Sequence, residues 1–105
     1  MKHIEIATLD HLDEFAELFN SYRVFYRQES NVEIGKAFLK DRISKNETTT
    51  FLIKADGKFV GFAQLYSLYH YKALQRQWLL SDLFVAPDFR GRGFSKDLID
   101  RCKLF

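Results

Sequence analysis

The sequence LFVAPDFRGRGFS occupies Leu83–Ser95 and passes from an apolar strand, through a turn containing glycine and arginine, into a helix. A helix that begins near Gly93 presents backbone N–H groups that have no partner within the helix, at the positive end of its dipole. Gly91 and Gly93 carry no Cβ atom that would keep an anion away from the backbone. Arg90 and Arg92 add positive charge beside them. The stretch therefore predicts a site for a phosphate or pyrophosphate.

Other phosphate-binding loops fit this stretch less well. A Walker A loop needs Gly-Lys-Ser/Thr after the second glycine, where this chain has Phe94-Ser95-Lys96. A dinucleotide fingerprint needs a third glycine at the position of Lys96. The plainer alternative is a basic connection between a strand and a helix. The apolar strand before the turn and the amphipathic helix after it favour the phosphate site.

The composition fits one small domain with an apolar core. The chain has 105 residues, of which 47% are hydrophobic and 11 are phenylalanine, and this excludes disorder. The formal net charge of +2 is too small to indicate a nucleic acid as partner. The single cysteine excludes an internal disulfide, and the three histidines share no metal-ligand spacing, so no metal site is expected.

The N-terminal residues Met1–Ile6 alternate polar and apolar side chains and lack the apolar run of a signal peptide. No segment is long enough to cross a bilayer. We therefore expect a cytoplasmic protein with no membrane partner.

Local patterns predict the element order β-α-α-β-β-β-α. Strands are predicted at Ile4–Ala7, Thr48–Ala55, Lys58 to about Ser67, and Trp78–Val85; helices are predicted from residue 9 to about 22, after Ser30, and after Gly93. Asp56-Gly57 predicts a tight hairpin turn. Ser30 and Glu33 form an S-x-x-E capping box, which predicts the start of the second helix.

The last strand and its surroundings carry three further predictions. Residues 68–76 are polar and aromatic and are predicted to form a loop. Trp78–Val85 is nearly all apolar, which is typical of a strand buried on both faces. Pro87 ends this strand because proline has no N–H to donate to a ladder. The apolar spacing of the last helix continues to Phe105, so the chain is predicted to stop within that helix.

The segment Arg90–Ser95 matches the pattern Arg/Gln-x-x-Gly-x-Gly/Ala and, together with Asp82–Pro87 before it, resembles the Gcn5-related N-acetyltransferase (GNAT) family. Ser95 departs from the usual glycine or alanine but is also small. The chain looks most similar to bacterial diamine-acetyltransferase-like members, through Tyr22–Tyr26, Gly61–Tyr66 and Asp82–Val85.

The resemblance implies an α/β (α+β) fold, in which helices flank a mixed, mainly antiparallel sheet. The element order is β-α-α-β-β-β-α. Residues 1–105 would form a single, partial domain that lacks the family's C-terminal strands. An exposed edge on the last strand invites pairing with another copy, so we expect a homodimer.

The family's co-substrate is acetyl-CoA, and the resemblance implies where it would bind. The pantetheine arm would lie along the backbone of the last strand, and the pyrophosphate on the amides of the turn. An N–H near Leu83 or Phe84 would polarise the thioester carbonyl. The residues implied in coenzyme binding are Leu83, Phe84, Val85, Arg90, Gly91, Arg92, Gly93, Phe94, Ser95 and Lys96.

The acceptor implied by the resemblance is a primary amine, either a small molecule or a peptide amino group, which attacks the acetyl carbon directly. A general base would help the amine to lose a proton. Diamine-type relatives often place a glutamate where this chain has Ser81, so Asp82 and Glu29 are the candidates. Asp82 also fits a structural carboxylate. Tyr26 and Tyr66 fit either the substrate cleft or packing.

Two other functions remain open at this point. A coenzyme-A-binding protein without turnover would use the same turn. Acidic side chains at Asp88, Asp97 and Asp100 interrupt the basic patch that a phosphate- or nucleic-acid-binding module would use, so this alternative is weak. That patch consists of Arg90, Arg92, Lys96, Arg101 and Lys103.

Overall fold

The sheet is built from antiparallel neighbours in chain order. A computed structural model describes residues 2–70 and 75–105. In this part of the chain the strands are β1 (Lys2–Ile6), β2 (Thr48–Ala55), β3 (Lys58–His70) and β4 (Gln75–Val85), in the order β1-β2-β3-β4. The helices are α1 (Leu12–Phe25), α2 (Val32–Ser44) and α3 (Phe94–Lys103), and single 3₁₀ turns lie at Leu9–His11 and Pro87–Phe89. The predicted element order and fold class are therefore confirmed.

Helices cover both faces of the sheet. On one face α1 and α2 pack on an apolar cluster that includes Phe15, Phe62 and Phe84. On the other face α3 packs on a second cluster that includes Phe51 and Leu98. Alternating strand residues supply the two clusters because successive side chains of a strand point to opposite faces. None of the helices described here is long and apolar enough to span a membrane.

The helix starts agree only partly with the sequence predictions. The Thr8 hydroxyl accepts a hydrogen bond from the Asp10 amide, but it caps a 3₁₀ turn that precedes α1. The predicted capping box at Ser30 is wrong. Asn31 caps α2 by accepting from the Ile34 amide. The Ser30 hydroxyl instead accepts from the side-chain amide of Asn20, which ties the α1–α2 loop to α1.

The predicted loop at residues 68–76 is also wrong where the structure describes it. β3 continues to His70 and β4 begins at Gln75, while residues 71–74 lie outside the described part. Trp78–Val85 is not buried on both faces. Leu79 and Leu80 are 53% and 45% exposed, because β4 is the last strand of the described sheet and has a neighbour on one side only.

The bounds of the elements at both ends of the chain, and of α1, differ by a few residues from the predicted ones. β1 covers Lys2–Ile6 instead of Ile4–Ala7. α1 continues through the aromatic and basic segment to Phe25. The last helix covers Phe94–Lys103 with Leu104 as its C-cap, two residues short of the predicted extent to Phe105.

Two β-bulges shape the sheet beside the site. In the β2–β3 pair, Ile53 faces Gly61 and Lys54 faces Phe59, so Val60 is the extra residue. In the β3–β4 pair, Gln64 faces Asp82 and Leu65 faces Leu80, so Ser81 is the extra residue. A bulge bends the strand and puts two neighbouring side chains on similar sides. The bulge in β3 therefore lies at Val60, next to Gly61.

Gly61 is required by the close approach of β3 and β4. A Cβ atom there would lie 2.8 Å from the Phe84 carbonyl oxygen and 3.2 Å from the Val85 Cγ2 atom. Gly61→Ala should therefore force the strands apart and lower the free energy of unfolding by about 1–3 kcal/mol. Urea unfolding followed by circular dichroism measures this. Gly57→Asn, at an open turn position with φ of 81°, is the control and should cost less. An unchanged midpoint in Gly61→Ala would contradict the close approach.

Candidate functional site

The N-terminus of α3 has the geometry that the sequence predicted for an anion site. Gly93 is the N-cap, in the left-handed conformation with φ of 83°, and Gly91 has φ of 79°. No side chain caps the helix. The amides of Phe94, Ser95 and Lys96 belong to the first turn, where a helix has no internal acceptor for them. Gly93 thus leaves a helix end whose N–H groups remain available to a ligand.

The two arginines of the turn make contacts within the protein that the sequence did not predict. The Arg90 Nε–H donates to the Val85 carbonyl at 2.8 Å, and its guanidinium lies 4.4 Å from the centre of the Phe25 ring. The Arg92 guanidinium lies 5.3 Å from the centre of the Phe89 ring. Arg90 therefore joins the turn to the end of α1, in addition to carrying charge.

Phe94 and Lys96 can offer their backbone amides, while their side chains are engaged within the protein. The Phe94 side chain is buried in the core under α3, so its amide is what remains for a ligand. Lys96 pairs with Asp100 at 2.7 Å, and its pKa is raised by that hydrogen bond and charge. Ser95 is exposed.

A lysine that the sequence analysis did not select also lies at this helix end. The Lys2 ammonium donates to the Arg92 carbonyl at 3.0 Å and to Asp97 at 2.9 Å. It would lie 3.6 Å from a Cβ atom on Gly93. The pairing of Lys2 with Ala55 brings it to this end of the sheet. A contact across 90 residues leaves no local signal in the sequence.

The last residues of β4 lie beside the turn. Phe84 and Val85 are buried on opposite faces, and Leu83 packs with Val85 against the cluster under α3. Because β4 pairs with β3 on one side, alternate backbone N–H and C=O groups of β4 are directed away from β3. These groups are of the kind that an extended pantetheine arm would need.

Asp82 is held by two hydroxyl groups. The Tyr22 hydroxyl donates to its Oδ1 atom at 2.6 Å, and the Ser81 hydroxyl lies 2.9 Å from its Oδ2 atom. The Ser81 Oγ atom is also 3.1 Å from the Gln64 carbonyl oxygen. Burial and the hydrogen bond to Asp82 raise the pKa of Tyr22 above its ordinary value of 10.0. Tyr22 is a site residue that the sequence analysis placed only within a matching segment.

Two of the other predicted residues lie near this pair. The Tyr26 ring centre is 5.1 Å from that of Tyr22, and Tyr26 is 58% exposed. Tyr66, on β3, is close enough for its charge to contribute to the raised pKa of Tyr22. Glu29 lies in the exposed α1–α2 loop, and it makes no hydrogen bond or ion pair with the described residues. The structure thus gathers Asp82, Tyr26 and Tyr66 around Tyr22.

A cavity of about 440 Å³ lies between α1 and the end of β4. It is lined by Asn20, Ser21, Val24, Phe25, Phe84 and Pro87. The cavity lies between the end of β4, where the coenzyme is expected to bind, and the end of α1 that is close to Tyr22 and Tyr26. Within residues 2–70 and 75–105, no three His, Cys, Asp or Glu side chains are grouped to hold a metal ion.

Comparisons with known proteins agree with this geometry. The model of the acetyltransferase (GNAT) family matches residues 12–103. The uncharacterized N-acetyltransferase YhfO of Bacillus subtilis is 40% identical over 88 residues, which cover 84% of this chain and 59% of that protein. The chain thus spans about three fifths of this relative's length.

Solved structures show the same fold. The crystal structure of a probable acetyltransferase superposes with a TM-score of 0.90 at 36% identity, covering 97% of this chain and 69% of that one. A predicted acetyltransferase from Clostridium acetobutylicum, solved with acetyl-CoA, has a TM-score of 0.78 at 12% identity, covering 96% and 70%. At 12% identity, this second comparison shows only that the two proteins share a fold.

The raised pKa of Tyr22 predicts a loss of stability in alkali. The folded chain holds the phenol proton more tightly than the unfolded chain, whose tyrosine ionises near pH 10.0. Above that pH unfolding releases the proton, so the free energy of unfolding falls as the pH rises; below it the contribution is complete. Urea midpoints at about pH 8 and pH 11 should fall less in Tyr22→Phe than in the wild type. Equal losses in the two proteins would contradict the prediction.

Proposed function

Because the chain belongs to the acetyltransferase (GNAT) family, we propose that it binds acetyl-CoA at the α3 N-terminus and transfers the acetyl group to a primary amine. The observation that carries this proposal is the α3 N-terminus without a side-chain cap, which follows the end of β4 after the connection at residues 86–93. Amides of a helix end bind phosphates well because the orphan N–H groups and the dipole act together. The match to the family model supports the choice of coenzyme.

The proposed division of roles follows the geometry. The amides of Gly91–Lys96 hold the pyrophosphate, and the free edge of Leu83–Val85 holds the pantetheine arm. An N–H near Leu83 or Phe84 stabilises the negative charge that develops on the thioester oxygen. Bound acetyl-CoA supplies the activated acetyl group. The acceptor is a small amine of the diamine type or a peptide amino group, and the protein acts in the cytoplasm.

The acceptor side is proposed to lie at Asp82, bordered by Tyr26 and Tyr66. An ammonium group must lose a proton before its nitrogen can attack the acetyl carbon. Asp82 is the carboxylate that lies on β4 itself, next to Leu83. Glu29, in the exposed α1–α2 loop, is the second candidate for receiving the proton.

A coenzyme-binding protein without turnover is the second candidate function. The observation that favours it is that the Asp82 carboxylate accepts a hydrogen bond from the Tyr22 hydroxyl at 2.6 Å, as a structural carboxylate would. The same helix end would bind the coenzyme in both cases, so only an assay of transfer separates them.

Calorimetric titration with acetyl-CoA tests the proposed site. The wild type should bind, and Gly93→Glu should bind about tenfold more weakly or worse, because a carboxylate at the N-cap repels the pyrophosphate. Gly57→Glu is a matched control, since Gly57 has φ of 81° and open space around it and lies at the β2–β3 turn. Absence of heat with the wild type, or equal binding by the two variants, would remove the proposal.

Acetyl transfer is measured as release of free coenzyme A thiol with a panel of polyamines and amino acids. Release above the control without protein supports the enzyme. Binding of acetyl-CoA without release across the panel favours the non-catalytic alternative.

We further propose that the chain forms a homodimer through the free edge of the first half of β4, around Leu79 and Leu80, which leaves the edge of Leu83–Val85 to the coenzyme. Edge strands present unpaired backbone groups, and Leu79 and Leu80 add exposed apolar side chains. Leu80→Lys should shift the protein towards monomer in light scattering, since a charge on an edge strand opposes pairing. Ile34→Lys, on an exposed position of α2, is the control and should leave the mass unchanged. A wild type that is monomeric at the working concentration would contradict the dimer.

A further inference from the structure

The Asp82 carboxylate is fixed from two sides before any substrate binds. One oxygen accepts from the Tyr22 hydroxyl at 2.6 Å, and the other lies 2.9 Å from the Ser81 hydroxyl. The first donor comes from α1 and the second from the neighbouring position on β4. Ser81 has a single hydroxyl proton, and the Gln64 carbonyl oxygen, 3.1 Å away, is its other acceptor. Tyr22 is therefore the main donor to Asp82, and Ser81 helps to define the plane of the carboxylate when its proton points to Asp82.

Both donors are themselves held rigidly. The Tyr22 ring packs against Phe62 and Phe84, with ring centres 5.4 Å and 5.5 Å away. Ser81 is the extra residue of the β3–β4 bulge, opposite Gln64, which brings its hydroxyl to the same side as the Asp82 carboxylate. Without the bulge, strand alternation would direct neighbouring side chains to opposite faces. The bulge therefore makes the Ser81–Asp82 contact possible.

The carboxylate keeps capacity for a further partner. An ionised carboxylate has about four acceptor positions on its two oxygens, and the two hydroxyls occupy one on each. Asp82 is half-buried, and the exposed ring of Tyr26 stacks edge-on against that of Tyr22. A ligand that reached Asp82 would meet remaining acceptor positions next to aromatic rings, a combination suited to a group with several N–H donors and a positive charge.

We propose that Tyr22 and Ser81 are positioning residues that hold Asp82 as the docking point for the protonated amine of the acceptor. The acceptor class is thus a primary ammonium compound that binds as a cation and is deprotonated afterwards. This inference rests on the proposed transferase function and adds to it the two residues that orient the acceptor. Tyr22 acts through Asp82 and does not touch the reacting atoms.

A double-mutant cycle tests the proposal in the complete 105-residue chain. With spermidine as acceptor, Tyr22→Phe should raise the amine KM about tenfold, since it removes one hydrogen bond to a charged group, and should leave acetyl-CoA binding unchanged. In an Asp82→Ala background the same change should have little further effect, because the acceptor of the hydrogen bond is already gone. Independent, additive losses in the two backgrounds would overturn the positioning role.

Ser81 offers a matched pair of variants. Ser81→Thr keeps the hydroxyl and should retain most of the wild-type amine KM, whereas Ser81→Ala should raise it. Equal behaviour of these two variants would remove Ser81 from the proposal.

A titration of the tyrosines separates this inference from the proposed function. Phenol ionisation is followed by ultraviolet absorbance in the protein without ligands. A phenol that titrates above its ordinary pKa of 10.0 in the wild type should be absent in Tyr22→Phe and should titrate at lower pH in Asp82→Asn. If that shift is found while the wild type releases no thiol, Asp82 is positioned as described and the transferase activity is what fails. If Asp82→Asn leaves the titration unchanged, the contact is not formed and the inference fails whatever the activity.

Discussion

The pairing of β3 with β4 at Gly61 is the constraint on which the site depends. The space between the Gly61 Cα atom and the Phe84 carbonyl is too small for a side chain. Gly61 pairs with Val85, the last residue of β4, and Pro87 then begins the connection that leads to Gly93. The same pairing directs Phe84 towards α1 and Val85 towards α3. The helix on each face is consequently placed by neighbouring residues of one strand.

The sequence could predict those features of the site that depend only on residues close together in the chain. Gly91 and Gly93 were expected at a strand-to-helix turn, and both have positive φ angles there. The hairpin at Asp56-Gly57 has the backbone angles that the residue pair favours, with φ of 53° and 81°. In each case the signal is steric, acts over a few residues, and does not depend on the remainder of the chain.

Contacts between distant residues explain most of what was missed. Lys2 reaches the α3 N-terminus only because β1 pairs with β2, and Tyr22 reaches Asp82 only because α1 lies across the sheet. Ser30 and Glu33 match the capping-box pattern in sequence, yet they do not cap the helix. The Ser30 hydroxyl accepts a hydrogen bond from Asn20, and Asn31 caps the helix instead. The burial of Trp78–Val85 was overestimated for a related reason: apolar composition does not reveal how many neighbours a strand has.

The extra residue at Ser81 reverses the inward and outward alternation of side chains along β4. Before it, Trp78 faces the α3 side at an even position, and after it Leu83 and Val85 face the same side at odd positions. A deletion of one residue on either side of Ser81 would therefore exchange inward and outward side chains for only half of the strand. The strand thus consists of two segments with separate side-chain alternation, and the second of them carries the carboxylate.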